Sequence, residues 1–481
     1  MSVLVVDVGT SGLRAAVVDG QGAVHALEHR SFPPSTPFPG LVEFDGAAMA
    51  AAVLDVANSS LAAAGPVDAV GITNQRASTL LWDRTTGQPI GPGIGWQDLR
   101  TVFDCITLKA EHGLGLAPNQ SATKVAWLLN NIEGARDRDL CFGTVDTWVA
   151  WVLSHGAVHV TDPSNAAVTG LLTADTMAWS QEVCAALGVP MQILPTVVDS
   201  TGMFGEATAL RGEPPLAALI GDQQASLIGQ GCVHPGLAKI TFGTGGMFDM
   251  CTGTSAPASA RRSNHGTFPI VAWSRGGQRT WGAEAIMLSA GTNVEWLRDD
   301  LGIIDTAAQS HDVAAQCDST DGVVYVPALM GLGTPHWDFG ARGTLLGLTR
   351  GSGRPQLVRA VLEGVAHRGA DMLEAAEADY GRTIGAIRVD GGMSQNPTFI
   401  QALANATGRP IEVSQHTEAT TIGAAYLAGL EVGIWASFDD IAAAWEPREV
   451  VEPTGQLDRR QWSSAIERAR GWIPDLSALD F

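Results

Sequence analysis

Two glycine–threonine turns, each between two apolar stretches, lie about half a chain apart. The first turn has the sequence GTSG at residues 9–12, and the second has the sequence GTGG at residues 243–246. An apolar run that enters a glycine-rich turn and leaves it in a second apolar run predicts a β-hairpin. Glycine lets backbone N–H groups approach an anion, and the threonine hydroxyl adds a donor. The two hairpins therefore predict two related domains that close on one nucleotide.

The length and composition of the chain agree with a two-domain organisation. At 481 residues the chain is too long for a single hydrophobic core. It is 45% hydrophobic and 16% charged, which is typical of a globular protein. We place the domain boundary near Gln230, so that the predicted domains span residues 1–230 and 231–481.

Charge, cysteine content and the chain start restrict the partners and the location. A formal net charge of -21 argues against nucleic acid or an anionic membrane as the main partner. No apolar run approaches the roughly 18 residues of a membrane span, and the N-terminus has no basic leader. The six cysteines form no CxxC pair, which indicates neither a zinc site nor a disulfide framework. We therefore expect a protein of the reducing cytoplasm that does not act at a membrane.

Strand and helix patterns alternate in both halves, which predicts an α/β architecture with covered sheets. Beyond the two hairpins, the predicted strands are 67–73, 217–220 and 386–389. The predicted helices are 45–64, 121–133, 144–153, 223–230, 284–301, 355–379 and 396–407. The last helix has the clearest boundaries, because Asn396 can cap its first turn, Pro397 suits its first position and Gly408 suits its end.

The first turn carries candidate phosphate-binding residues. Gly9, Thr10 and Ser11 would receive phosphate oxygens, while Arg14 would either reach a phosphate or clamp the hairpin. Asp7, at the end of the first strand, would hold a Mg²⁺ ion that keeps most of its water. The alternative is an ordinary turn, since Asp, Gly and Thr are common turn residues.

The second turn, with Gly243 and Thr244, makes the phosphate interpretation stronger, because two such hairpins are less often found by chance. Each turn opens a second strand, whereas a dinucleotide fold needs a GxGxxG turn that opens a helix. No Gly-Lys-Ser/Thr occurs, so a lysine-dependent P-loop is excluded. The segment 390–396 is either a capped strand-to-helix turn or a bare glycine backbone beside a flat adenine.

Three further side chains suggest chemistry on a hydroxyl group. Asp222 follows a predicted strand and is either a helix cap or the base that takes a proton from an acceptor hydroxyl. Arg76 either pairs with a neighbouring carboxylate or donates to substrate hydroxyls. Trp96 is either a core residue or a flat surface for the carbon chain of a polyol.

An ordered series of segments resembles the FGGY carbohydrate kinases over nearly the full length, and within that family the glycerol kinases. The segments include VDVGTSGLRA, GITNQRASTLLWD, SATKVAWLL, HVTDPSNA, GDQQASLIGQG, ITFGTGG, GLGTPHWD and RVDGGMSQN. The resemblance implies two actin-like (ribonuclease H-like) domains with an ATP cleft between them. It also implies transfer of the γ-phosphoryl group of ATP to a hydroxyl of a small polyol or sugar.

The resemblance assigns roles residue by residue. Asp222 matches the catalytic base, Gln223 its neighbour at the substrate, and Arg76 and Trp96 the polyol-contacting positions. The positions that match the nucleotide site are Thr10, Ser11, Arg14, Thr244, Gly291, Gly392 and Asn396. Both a homodimer and a homotetramer are compatible with the resemblance.

The acceptor pocket departs from the pattern of glycerol kinases at three positions. Ala77 stands where they carry a glutamate, Asn119 lies in a stretch where they carry a tyrosine, and Met247 stands where they carry an aromatic residue. Two explanations stay open, a different or larger acceptor and a divergent glycerol kinase that binds more weakly. A non-kinase actin-like ATPase is the alternative from another functional class. The family's Gly-Gly-Thr-Arg regulatory loop is replaced by Arg211–Pro215, so that regulation is not expected.

Overall fold

The computed structural model describes residues 1–173, 177–259 and 261–479. Each of the two predicted hairpins forms the centre of a mixed β-sheet. Helices cover both sheets, and each half of the chain has its own apolar core. A third apolar core lies between the halves and includes residues of both.

The N-terminal sheet has the strand order β11-β12-β5-β1-β2-β3. Strands β1 and β2 are antiparallel, and β5 and β12 run parallel to β1 and to each other. The elements of this half are β1 (Ser2–Val8), β2 (Gly12–Asp19), β3 (Val24–Ser31), β4 (Glu43–Phe44), α1 (Gly46–Ala64), β5 (Ala69–Asn74), β6 (Leu80–Asp83), β7 (Gly93–Ile94), α2 (Val102–His112), α3 (Ala122–Asn131), β8 (Leu140–Gly143), α4 (Val145–Leu153), β9 (Val160–Thr161), α5 (Pro163–Ala166), α6 (Gln181–Leu187), β10 (Thr196–Val197), β11 (Thr201–Glu206), β12 (Pro215–Gly221) and α7 (Asp222–Gly229).

The C-terminal sheet has the strand order β15-β16-β14-β13-β19-β20-β21. Strands β13 and β14 are antiparallel, and β19 and β20 run parallel to β13. The elements of this half are β13 (Ala238–Phe242), β14 (Gly246–Gly253), β15 (Phe268–Arg275), β16 (Gln278–Met287), α8 (Thr292–Glu295), α9 (Gln309–Ala314), β17 (Val324–Val326), β18 (Thr344–Leu346), α10 (Arg354–Tyr380), β19 (Ile387–Asp390), α11 (Pro397–Thr407), β20 (Ile411–Ser414), α12 (Ala419–Glu431), α13 (Phe438–Ala444), β21 (Pro447–Val451), α14 (Arg459–Ala469) and α15 (Pro474–Ser477).

The two sheets repeat one topology. In each, an antiparallel hairpin is followed by further antiparallel pairing (β3 in the N-terminal sheet, β15 and β16 in the C-terminal sheet), a long helix, and two strands parallel to the first. Helix α1 makes this connection in the N-terminal half and α10 makes it in the C-terminal half. The shared topology confirms the predicted pair of related α/β domains. The boundary near Gln230, between α7 and β13, stays a prediction.

Helix α1 concerns the expectation that no apolar run approaches the length of a membrane span. Among the described parts of the chain it is the one helix that is long and apolar enough to cross a membrane by length and composition alone. Its N-terminus is capped by the Asp45 carboxylate, which accepts hydrogen bonds from two backbone N–H groups. Met49, Val53 and Leu61 are buried in the N-terminal core. Core packing therefore accounts for much of its apolar character.

The predicted helix at 284–301 is wrong in its first part. Glu284 lies in β16, which pairs with β14 on one side and β15 on the other, and the helix begins only at Thr292. A short apolar run that is buried on both faces of a sheet has no period that separates it from a buried helix. At the start of α3, the Ser121 hydroxyl donates to the Ala77 carbonyl (2.9 Å) and does not cap the helix.

Helices α7 and α12 cross between the two sheets, and each packs toward the sheet of the other half. Gln224 of α7 donates to the carbonyl of Val271 in β15 (3.4 Å), and α12 packs on β1, β5 and β12. The crossing needs glycine on both helices. A Cβ at Gly423 would lie 1.8 Å from the Ala225 carbonyl oxygen, and one at Gly229 would lie 1.9 Å from the Ala419 carbonyl oxygen.

We expect Gly423→Ala to destabilise the protein by about 1–3 kcal/mol or more, because the added methyl group meets backbone atoms that cannot rotate away. The measurement is the free energy of unfolding from urea denaturation. Gly455→Ala is the matched control, since a Cβ there meets no atom within 4 Å. Equal stability of the two variants would contradict the close helix crossing.

Candidate active site

The carboxyl ends of three neighbouring parallel strands bring the main polar residues together. Asp7 lies near the end of β1, Arg76 follows β5 and Asp222 follows β12. Because β1, β5 and β12 are adjacent and parallel, their carboxyl ends meet at one edge of the sheet. Residues far apart in the sequence therefore face one cleft.

The first turn is closed by its own backbone. The Gly9 N–H donates to the Gly12 carbonyl (2.9 Å), and the Thr10 hydroxyl accepts from the Trp96 indole N–H (3.1 Å). Ser11 is exposed at the tip. The turn thus presents a small hydroxyl-bearing surface to the cleft, with Trp96 held against it.

Of the two roles predicted for Arg14, reaching a phosphate or clamping the hairpin, the structure has the side chain in the second. It lies opposite Asp7 in the hairpin, with its Nε 3.4 Å from the Asp7 carboxylate, and it also pairs with Glu418. Burial raises the pKa of Asp7 to about 7, and the positive charge of Arg14 counteracts part of this rise. Asp7 is thus a buried carboxylate that is only partly neutralised by the protein.

The second turn is supported by the start of α8. The Gly291 N–H donates to the Gly243 carbonyl (2.8 Å), and the Ala290 N–H donates to the Thr244 carbonyl (2.8 Å). A Cβ at Gly291 would lie 2.6 Å from that Gly243 carbonyl oxygen, so only glycine fits. Thr244 itself is exposed.

The segment after β19 contains both a helix cap and a stretch of bare glycine backbone, at different residues. The Asn396 carboxamide caps α11 by accepting from the Phe399 N–H (3.1 Å), and it donates to the Ser310 hydroxyl (2.9 Å). Gly392 is exposed, and a Cβ on it would meet no atom within 4 Å. Asn396 is therefore a cap, whereas Gly392 leaves a stretch of bare backbone open.

Asp222 and Arg76 form the centre of the cleft. The Arg76 Nε lies 3.6 Å from the Asp222 carboxylate, and one Arg76 terminal nitrogen donates to Glu284 (2.6 Å). Burial raises the pKa of Asp222, while Arg76 and the Gln223 N–H lower it. A carboxylate with a raised pKa is a stronger base than one in water.

Behind this centre is a row of charged side chains that sequence reasoning missed. Lys239, Asp249 and Glu284 lie directly opposite one another on β13, β14 and β16. The Lys239 Nζ is 2.8 Å from the Asp249 carboxylate and also donates to Gln223 Oε1 (2.8 Å). The hairpin register could have placed Lys239 opposite Asp249, but the incorrect helix hid Glu284.

Of the predicted acceptor residues, the structure places Trp96 next to the loop of Arg76 and Ala77, whereas Asn119 and Met247 lie on other elements. The backbone N–H of Trp96 donates to the Ser78 hydroxyl (3.1 Å), which connects Trp96 to the loop of Arg76 and Ala77. Ala77 is buried and has a positive φ of 62°.

The other two departures lie on different elements. Asn119 is exposed in a turn two residues before Ser121, whose hydroxyl contacts the Ala77 carbonyl. Met247 is half-buried on β14, opposite Ile286. Its side chain is on the same face of the strand as that of Asp249, because side chains alternate along a strand.

Comparison with known proteins agrees with this geometry. The N-terminal domain pattern of the FGGY family of carbohydrate kinases matches residues 2–229, and the C-terminal domain pattern matches residues 238–432. The chain is 41% identical to glycerol kinase of Aromatoleum aromaticum, over 98% of this chain and 99% of that protein. It is also 41% identical to glycerol kinase of Deinococcus radiodurans, over 99% of each.

A solved structure gives the same result. The crystal structure of Plasmodium falciparum glycerol kinase with ADP superposes with a TM-score of 0.90 at 28% identity, and covers 97% of this chain and 98% of that one. The chain belongs to the FGGY family of carbohydrate kinases. The predicted fold of two actin-like domains and the predicted class, an ATP-dependent kinase similar to glycerol kinases, are confirmed. The comparisons thus favour the kinase over the actin-like ATPase.

We expect the buried Asp7 to lower stability as the pH rises. Its pKa is about 7 in the folded protein and 3.8 in the ordinary case, so the folded state holds a proton that the unfolded state has lost between these values. Stability is therefore lost as the pH rises through this window. Without ligands, the free energy of unfolding of Asp7→Asn relative to wild type should therefore be about 2 kcal/mol more favourable to folding at pH 8 than at pH 5.

Urea denaturation at the two pH values measures this difference. Asp318→Asn, at an exposed position, is the control for the loss of one carboxylate. A gap between wild type and Asp7→Asn that does not change with pH would contradict the assigned burial effect.

Proposed function

We propose that this chain transfers the γ-phosphoryl group of ATP to a hydroxyl of a small polyol, with Asp222 as the base. The observation that carries the proposal is the position of Asp222, which is half-buried beside Arg76 at the sheet edge that also carries the first turn. Phosphoryl transfer needs little covalent chemistry from a protein, so positioning and charge dominate.

The two turns fit the phosphates of ATP. Gly9, Thr10 and Ser11 would contact phosphate oxygens from the N-terminal half, and Gly243 and Thr244 from the C-terminal half. The supporting observation is the tight backbone at both turns. A Cβ at Gly9 would lie 3.3 Å from the Gly12 carbonyl oxygen, and one at Gly245 would lie 2.8 Å from the Met287 carbonyl oxygen. The bare backbone at Gly392 and the nearby cap Asn396 would lie beside the adenosine.

Asp7 fits a Mg²⁺ ion bound through water. Magnesium is held by one or two carboxylates together with substrate phosphates and keeps several waters. Within residues 1–173, 177–259 and 261–479, no three His, Cys, Asp or Glu side chains form a group that could hold a metal ion. When bound, the ion would neutralise charge on the phosphates. Arg14 clamps Asp7 and limits its rotation.

The acceptor would bind between Arg76 and Trp96, next to Asp222 and Gln223. Arg76 donates to hydroxyls, and the Trp96 ring packs on the carbon chain. As the acceptor oxygen bonds to the γ-phosphorus, its proton passes to Asp222, and the bond from phosphorus to the bridging oxygen breaks to release ADP. Closure of the domains excludes water that would otherwise take the phosphoryl group.

Ala77, Asn119 and Met247 support an acceptor other than glycerol. A pocket that lacks a carboxylate for a buried hydroxyl loses much of its discrimination for that hydroxyl. The small side chain of Ala77 is buried at the loop that carries Arg76. A glycerol kinase with weaker binding is the alternative, and the acceptor specificity distinguishes the two.

The remaining properties are inferred from charge and thiols. The net charge of -21 supports a small-molecule partner over nucleic acid. All six cysteines are free, five of them buried, which supports a reducing, cytoplasmic location. A homodimer or homotetramer is the proposed assembly, which sedimentation would distinguish.

Asp222→Asn should abolish transfer and keep ATP binding. Removing the base should lower kcat by about 10²–10⁴-fold, while calorimetric titration should give an unchanged Kd for ATP because the phosphate turns are intact. Turnover is measured by coupled ADP release with a panel of polyols and ketoses. Near wild-type turnover would rule out Asp222 as the base.

Ala77→Glu should raise kcat/KM for glycerol relative to a five-carbon polyol by about tenfold, because the new carboxylate accepts hydrogen bonds from hydroxyls. Ala77→Gln is the matched control, with the same length and no charge, and should raise the ratio less. An unchanged ratio in both variants would mean that position 77 lies outside the acceptor pocket.

A further inference from the structure

Arg76 is shared between the two halves of the molecule. Its Nε faces Asp222 of α7 at 3.6 Å, whereas a terminal nitrogen binds Glu284 of β16 at 2.6 Å. The other terminal nitrogen, Nη1, is buried without a hydrogen-bond partner. The unpartnered donor is the group that a substrate hydroxyl would satisfy, since a buried donor without a partner is costly.

Glu284 holds Arg76 through the charged row of the C-terminal sheet. Its neighbour across the strands is Asp249, which is itself paired with Lys239. Both Asp249 and Lys239 are fully buried. The same Lys239 binds Gln223, so two of the acceptor residues of the N-terminal half are held by side chains of the C-terminal half.

The loop of Arg76 supplies no carboxylate of its own, because the next residue is Ala77. Without Glu284, the guanidinium would be free to close on Asp222. A positive charge at hydrogen-bond distance lowers the pKa of a carboxylate and weakens it as a base. Glu284 therefore both directs Arg76 and keeps Asp222 available.

We propose that Glu284 is a positioning residue for acceptor binding, which holds Arg76 toward the acceptor and away from Asp222 across the domain cleft. This inference rests on the proposed function. Because Arg76 and Glu284 belong to different halves, the pair forms only while the halves are close. Acceptor affinity thus depends on the closed arrangement through a named ion pair.

The test is Glu284→Gln, which keeps the size and removes the charge. We expect the KM for the acceptor to rise about tenfold or more, because Arg76 is redirected, and the KM for ATP to change less than about twofold. The acidic limb of the pH profile of kcat should move to lower pH, because Arg76 then pairs more closely with Asp222. The charged groups that face Asp222 and Arg76 are Asp7, Lys239, Asp249 and Glu284.

Two further variants separate positioning from stability. Glu284→Asp keeps the charge and should restore part of the acceptor affinity. Glu363→Gln removes another carboxylate of a C-terminal ion pair, that with Arg359 at 2.8 Å, and should leave both KM values unchanged. An unchanged acceptor KM in Glu284→Gln, or an equal rise in both KM values, would overturn the inference. Absence of acceptor-stimulated turnover in the wild-type enzyme would instead refute the proposed function.

Discussion

The crossing of helices α7 and α12 is the contact on which the rest of the structure depends. Each helix follows the last parallel strand of its own half and packs toward the sheet of the other half, so the two sheets are joined through a pair of backbones in direct contact. Gly423 against Ala225 and Gly229 against Ala419 leave no room for side chains at this point. The apolar core around the crossing includes residues of both halves and holds them together.

The position of the crossing also explains where the reactive residues lie. Asp222 is the first residue of α7, and Glu418, the partner of Arg14, immediately precedes α12. The helix starts thus place one carboxylate beside Arg76 and another beside Arg14 of the first hairpin. In the same cleft, Lys239 and Glu284 hold Gln223 and Arg76 from the other side. The proposed acceptor residues and the proposed base are in this way linked to the C-terminal half by a few charged contacts.

Much of the fold could be predicted from local patterns. The hairpins, the strands before Asp222 and Gly391, and the capped helix after Asn396 follow from hydrophobic periodicity and turn chemistry, which act over a few residues. The helix predicted at 284–301 shows where this approach ends. The run around Glu284 is buried on both faces of a sheet, and only its pairing with β14 and β15, distant in sequence or joined by a turn, makes it a strand. Because the predicted helix includes residue 284, the sequence did not indicate that the Glu284 carboxylate binds Arg76. The hydroxyl of Ser121 likewise has a distant partner, because it donates to the Ala77 carbonyl in a loop 44 residues away.

The two-domain α/β architecture, the two glycine–threonine turns and the candidate base could be predicted from the amino-acid sequence, because each of these lies in short contiguous segments. The departures from the glycerol-kinase pattern at Ala77, Asn119 and Met247 stay predictions from the sequence. Only the tertiary structure decided that Arg14 clamps Asp7, that Asn396 is engaged as a cap, and that Arg76 is divided between Asp222 and Glu284. These contacts form between charged or polar groups on elements that are far apart in the chain. Their energies are set by burial and distance, which a linear sequence does not contain.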